Sequence, residues 1–129
     1  LIVNNYRVYQ VFLPQSAGLV AVDRLKAFDA KLRELITKIS AKADELAGQG
    51  KDVTAIKTLI STAEAQLSVA QGYITTAETA FTSMTISNPE GAKTLKLEGK
   101  SALLEARKNF SEAKKNLKSA VQAIKGLIK

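Results

Sequence analysis

From Val53 to Met84 the apolar residues fall at positions 53, 56, 60, 63, 67, 70, 74, 77, 81 and 84, stepping by three and four without a slip. That rhythm draws one stripe down a helix of 3.6 residues per turn and fits no strand. One column of the stripe carries Val53, Ile60, Leu67, Ile74 and Phe81, while the other narrows to Ala63, Ala70 and Ala77. Alanine at every second step lets a neighbouring helix approach closely. A second stripe repeats the scheme through Leu103, Ala106, Phe110, Ala113, Leu117, Ala120, Ile124 and Leu127. A third, less regular, uses Leu25, Phe28, Leu32, Leu35 with Ile36, Ile39, Ala43 and Leu46. No single helix can cover its own stripe. The spacing therefore predicts an all-α fold: an elongated antiparallel three-helix bundle with coiled-coil-like heptad seams, plus a short N-terminal helical segment.

Turn chemistry supplies the boundaries. Gly48 and Gly50 offer the C-cap freedom that ends the first helix. Either Asp52 or Thr54 can cap the second. Asn88 and Pro89 suit the cap and first position of the third, while Gly91 and Gly99 each weaken its start by up to about 1 kcal/mol relative to Ala. These signals place the helices near 16–47, 53–85 and 93–128 within a bundle of residues 15–129.

Residues 1–14 read differently. "NNYRVYQVFLPQ" (Asn4 to Gln15) alternates poorly as a strand and finds no partner strand in the chain. As a helix it sets Ile2, Tyr6, Tyr9 and Leu13 on one side, with Pro14 expected to close it. The chain opens on Leu1 rather than methionine, so a fragment is expected, with residues 1–14 the end of an upstream element folded onto one end of the bundle.

Composition narrows the chemistry. Cysteine and histidine are both absent. The first removes disulfides, thiolate nucleophiles and Cys-ligated metals; the second removes the commonest general base and metal ligand. No cofactor, metal site or small-molecule substrate is expected. The longest apolar runs, such as Ala17–Val22, fall far short of the ~20 residues of a membrane span, and no signal peptide is visible.

Two motif fragments fail on context. Gly99-Lys100-Ser101 matches the tail of a phosphate-binding loop, but Thr94 stands where the motif needs glycine and no parallel sheet precedes it. Ser111-Glu112-Ala113-Lys114 matches Ser-x-x-Lys without the companion elements of those hydrolases. Asp44 and Glu45 are adjacent, so they do not share a helix face. Glu98, Glu105 and Glu112 recur every seven residues on an outward face, which suits solubility and weak ion pairs better than hydrolysis. Asn109-Phe110-Ser111 fits a glycosylation sequon by coincidence. The hydroxyl cluster Thr75, Thr76, Thr79, Thr82, Ser83 and Thr85 lowers helix propensity at the end of the second helix.

Charge is the most uneven property. Nine basic and nine acidic residues cancel over positions 1–92, so the net +7 comes entirely from 93–129, with ten basic against three acidic residues. Lys93, Lys96, Lys100, Arg107, Lys114, Lys118, Lys125 and Lys129 fall within an arc of roughly 60° on the last helix. Such a strip suits a linear polyanion: nucleic acid, an anionic cell-wall polymer or a membrane surface. The competing reading is a solvated face whose lysine stems shield the core. No aromatic residue interleaves the strip for base stacking.

"YRVYQVFLP" (Tyr6 to Pro14), "AVDRL" (Ala21 to Leu25), "GKDVTAI" (Gly50 to Ile56) and the Lys/Ala-rich last helix give the chain a family likeness. It resembles a loose group of uncharacterised Ala/Lys-rich helical proteins of candidate-phylum bacteria and actinobacteria. The resemblance implies an exported or cell-surface location, with further helical sequence upstream, and supplies no activity or site residues. The expected function is a non-enzymatic structural or interaction module of a larger exported or cell-envelope protein, binding a protein partner or another copy. The alternative is polyanion binding through the basic strip.

Overall fold

The computed structural model describes the backbone of residues 2–128 and the side chains of residues 10–128. Three helices pack against one another: α1 (Ile2–Gly48), α2 (Thr54–Thr82) and α3 (Pro89–Ile128). No strand occurs among the described residues. Leu1 and Lys129 lie outside them, as do the side chains of Ile2, Tyr6 and Tyr9, which were expected to share a face with Leu13.

The stripe of α2 is the core. Each of its ten positions from Val53 to Met84 is buried. In α3 the run from Leu103 to Ile124 is buried as expected, with Leu127 only half-buried. Between the columns of large residues, Ala63, Ala70, Ala77, Ala106, Ala113 and Ala120 are all fully inaccessible. Phe28 of α1 meets Phe110 of α3 edge to face, ring centroids 5.5 Å apart, an arrangement aromatic quadrupoles favour.

α1 departs from expectation. Pro14 does not end a segment; it sits inside one continuous helix, so residues 2–48 form a single element instead of a short helix followed by one starting at Ser16. Proline deprives the carbonyl of Gln10 of its helical donor, and an interior proline typically costs about 3 kcal/mol. Packing on both sides offsets this. Val11 and Gly18 are both buried, and the buried or half-buried positions 11, 15, 18, 22, 25, 29, 32, 36, 39, 43 and 46 form an unbroken three–four rhythm. That rhythm is hidden in the sequence by Gln15, Gly18 and Asp29, three residues unlike the usual occupants of an apolar stripe. Phe28, placed in the stripe from sequence, is only half-buried, and Leu35 is exposed.

The termini follow local chemistry. Gly50 has φ +83°, and Lys51 N–H donates to Leu46 O (3.0 Å) while Gly50 N–H donates to Ala47 O (3.0 Å), the paired bonds of a Schellman ending. Ahead of α2, neither expected residue is the N-cap, which is Val53 without a side-chain cap bond; Asp52, one residue earlier, accepts through Oδ1 from Thr54 N–H (3.0 Å) and Thr54 Oγ1 (2.7 Å). α3 starts at Pro89, earlier than position 93, because Asn88 Oδ1 accepts from Gly91 N–H (3.0 Å). α2 stops at Thr82, short of position 85, where the sequence turns to hydroxyl residues of low helix propensity.

Candidate interaction surface

The strip residues lie where helical spacing puts them, beside the buried stripe of α3. Lys93, Lys100, Arg107, Lys114, Lys118 and Lys125 are exposed and Lys96 is half-buried; Lys129 lies outside the described residues. Among the described residues none of these seven cations has a carboxylate within 4.0 Å. Several basic side chains elsewhere do: Lys57 meets Asp44 (3.3 Å), Lys42 meets Glu45 (3.4 Å), Arg33 meets Asp29 (3.0 Å) and Lys108 meets Glu105 (3.2 Å). Lys26 pairs with Glu78 across α1 and α2. Each such pair is worth little alone. Arg24, Lys31, Lys51 and Lys115 are unpaired as well, so among the described residues the α3 strip is distinguished by how many unpaired cations share one helix face.

The strip is not uniform. At its N-terminal half, Lys96, Lys100 and Arg107 border an open groove of about 610 Å³ between α1 and α3. Leu13, Pro14, Ala17 and Ala21 form the α1 wall, Leu103 and Leu104 the α3 wall, and buried Gly18 and Phe81 the floor. No carboxylate lines it. Lys93 and Lys96 also border a smaller hollow with Gln10, Val11, Pro14 and Glu90. Lys114, Lys118 and Lys125 stand beyond both, on an exposed helix face.

Sequence reasoning missed this groove, because reading Pro14 as a helix end took the α1 wall away. The signal that would have revealed it is the spacing of Val11, Gly18 and Val22, which carries the helix straight through the proline.

Three polar or small residues in the stripe of α1 each have a structural partner. Gln15 Nε2 donates to Phe81 O (2.8 Å), which also accepts from Met84 N–H (3.3 Å), and to Met84 O (3.2 Å), adding donors just past the end of α2. Gly18 and Gly99 flank the Phe81 ring, and a Cβ at either would collide with it. So the Gly99 of the phosphate-loop fragment is occupied in packing. Asp29 is buried, with Oδ2 accepting from Arg33 Nε (3.0 Å) and Oδ1 lacking a partner among the protein atoms. It borders a polar cleft of about 530 Å³ with Lys26, Ser68, Gln71, Thr75 and Glu78.

The hydroxyl cluster of α2 turns inward on its own helix where bonds are seen: Thr75 and Thr76 donate to the carbonyls of Gln71 and Gly72 (both 3.1 Å). Ser111 and Lys114 are both exposed on regular α3. Among the described residues no group of three carboxylates could hold a metal ion, and no helix is long and apolar enough to cross a membrane. No protein family, curated protein or solved structure matches the chain.

Proposed function

We propose that this chain is a non-enzymatic structural or interaction module of a larger exported or cell-envelope protein, built as an antiparallel, coiled-coil-like bundle. The up-down-up course is supported by cross-helix pairs: Lys26 in the middle of α1 meets Glu78 near the end of α2, and Asp44 near the end of α1 meets Lys57 near the start of α2. The coiled-coil character is supported by the seven-residue alternation of large residues and alanine in α2 and α3. The export assignment rests on the resemblance of the sequence.

The observation that carries the interaction reading is the coincidence of two unsatisfied features on one face. The uncompensated cations of α3 and an open apolar groove adjoin at Lys96, Lys100 and Arg107. Contiguous exposed apolar surface with a polar rim marks an association site. In the parent cell, a photocrosslinking residue at position 104 should trap a protein partner, whereas one at Glu64 on exposed α2 should not. Equal background at both positions refutes the reading. Sedimentation at high concentration separates a foreign partner from self-association, since a strict monomer sinks the latter.

The absence of partners along the strip favours a second reading, polyanion binding. It requires binding to an anionic polymer that weakens steeply with salt and falls when Lys114 and Lys118 are reversed to Glu. Lack of binding at low salt excludes it.

A further inference from the structure

We infer that the groove between α1 and α3 receives one helix of a protein partner, an amphipathic helix whose apolar stripe is flanked by Asp or Glu. The inference rests on the interaction-module reading and names the partner's chemistry. Its basis is the period of what is left exposed. On α3, Leu97 and Leu104 are 61% and 56% exposed, and on α1, Leu13 and Val20 are 51% and 50% exposed. Each pair is seven residues apart, so each holds one helix face with a repeat of about 10.5 Å. Lys93, Lys100 and Arg107 keep the same seven-residue interval on α3, beside the leucines.

One apolar residue on each wall, Leu13 of α1 and Leu104 of α3, with Lys96, Lys100 and Arg107 along the α3 wall, matches the surface an added helix meets, and Val20 and Leu97 continue the two faces beyond the groove. An α-helix carrying apolar residues at three–four spacing fills the groove, and its acids at every seventh position face these cations. Charge selects among occupants. The groove has three cations and no carboxylate, so a second copy docking through this face opposes like to like. A nucleic acid would satisfy the cations and leave Leu13 and Leu104 of the groove walls without an apolar partner. The C-terminal part of the strip, Lys114, Lys118 and Lys125, has no such leucines beside it and lies outside the groove.

The test uses a synthetic helical peptide about three heptads long, with leucine along one stripe and glutamate on both flanks, against the intact chain. Its controls are a shuffled peptide of the same composition, laurate, and a short DNA duplex. The striped peptide should bind, and the shuffled one should not. Leu104→Glu, at an exposed position that leaves folding intact by circular dichroism, should weaken binding by at least about tenfold. The pair Lys100→Glu with Arg107→Glu should do the same, while Lys114→Glu with Lys118→Glu should change it by less than about threefold. Equal binding of the shuffled peptide overturns the inference. So does a response to Lys114→Glu with Lys118→Glu as large as that to the groove changes. Binding of laurate or duplex that Leu104→Glu abolishes, without peptide binding, assigns the groove to another occupant. If the peptide fails while crosslinking at position 104 still traps a protein, the helix assignment is wrong and the interaction reading survives. If both fail, both readings fall.

Discussion

The ring of Phe81 occupies the space that a side chain on Gly99 would need: a Cβ there would stand 2.6 Å from Cζ. Gly18 faces the same ring from α1, so one aromatic residue of α2 is seated between glycines of its two neighbours. All three helices meet at this ring, which forms the floor of the α1–α3 groove. Glycine inside a helix is ordinarily a weakness. Here it makes room for the largest of the fully buried side chains.

Gly99→Ala sets two effects against each other. Alanine adds up to about 1 kcal/mol of helix propensity, while overpacking a filled core typically costs about 1–3 kcal/mol. Phe81 is 1% exposed and its ring is held between Gly18 and Gly99, so the clash wins and the midpoint of chemical denaturation should fall. Gly72→Ala is the control, since nothing lies within 4 Å of that Cβ, and should raise stability by about 0.5–1 kcal/mol. Adding Phe81→Leu to Gly99→Ala should recover part of the loss; full additivity of the two would contradict the proposed contact.

Gln15 is expected to matter through α2, not through α1. Its amide donates to Phe81 O and Met84 O, and Leu in its place keeps the bulk but removes both donors. Phe81 O keeps the Met84 N–H (3.3 Å), while Met84 O loses the donor it has from Gln15, and an unpartnered, partly buried carbonyl costs about 1–3 kcal/mol. Gln15→Leu should therefore lower stability and speed amide exchange in the last turn of α2, with α3 exchange unchanged. Uniform acceleration throughout would indicate general loosening in place of a lost cap.

The same residues show what was legible beforehand. The stripes of α2 and α3 could be read because their occupants are all apolar and their period is strict. The stripe of α1 could be read only from Leu25 onward, since Gln15, Gly18 and Asp29 each fill an inward position for a reason that lies on another helix or in a neighbouring side chain. Pro14 was legible as a residue and misleading as a boundary: local propensity favours a break, and burial of Val11 and Gly18 on either side overrides it. The basic strip could be placed by angle alone. Its division into a groove-lining half and a free half needed the path of α1.

Asp52 gives the start of α2 a pH dependence. Its carboxylate is fully exposed, and the bonds from the Thr54 hydroxyl and then the Thr54 backbone N–H hold its pKa below the ordinary 3.8. A depressed folded-state pKa contributes stability above the unfolded value and loses it as pH falls through the folded value. The Thr54 amide resonance should accordingly titrate with a midpoint below 3.8, and the first turn of α2 should fray under acid. Asp52→Asn should remove that titration from the Thr54 signal. A midpoint above the ordinary aspartate value would show that the bonds do not favour the ionised form.

Asp29 leads to the least intuitive expectation. A carboxylate at an inward position of α1, bonded to Arg33 through one oxygen and unpartnered at the other, is a poor contributor to stability, since desolvation of a buried charge can exceed what one partner returns. Removing it strands little. The Arg33 side chain is 40% exposed and can turn its guanidinium to water. The adjoining cleft of about 530 Å³ leaves room for a branched apolar side chain, and leucine there restores the three–four stripe from Val11 to Leu46. Asp29→Leu should thus leave the melting temperature unchanged or raise it, by up to about 2 kcal/mol in stability. Asp29→Asn should lower it, because it gives up the charged bond to Arg33 and keeps a buried polar group. If Asp29→Leu instead lost more than about 1 kcal/mol, the free oxygen would have to be held by a donor such as an ordered water in the cleft, and Asp29 would belong to a polar network joining α1 and α2.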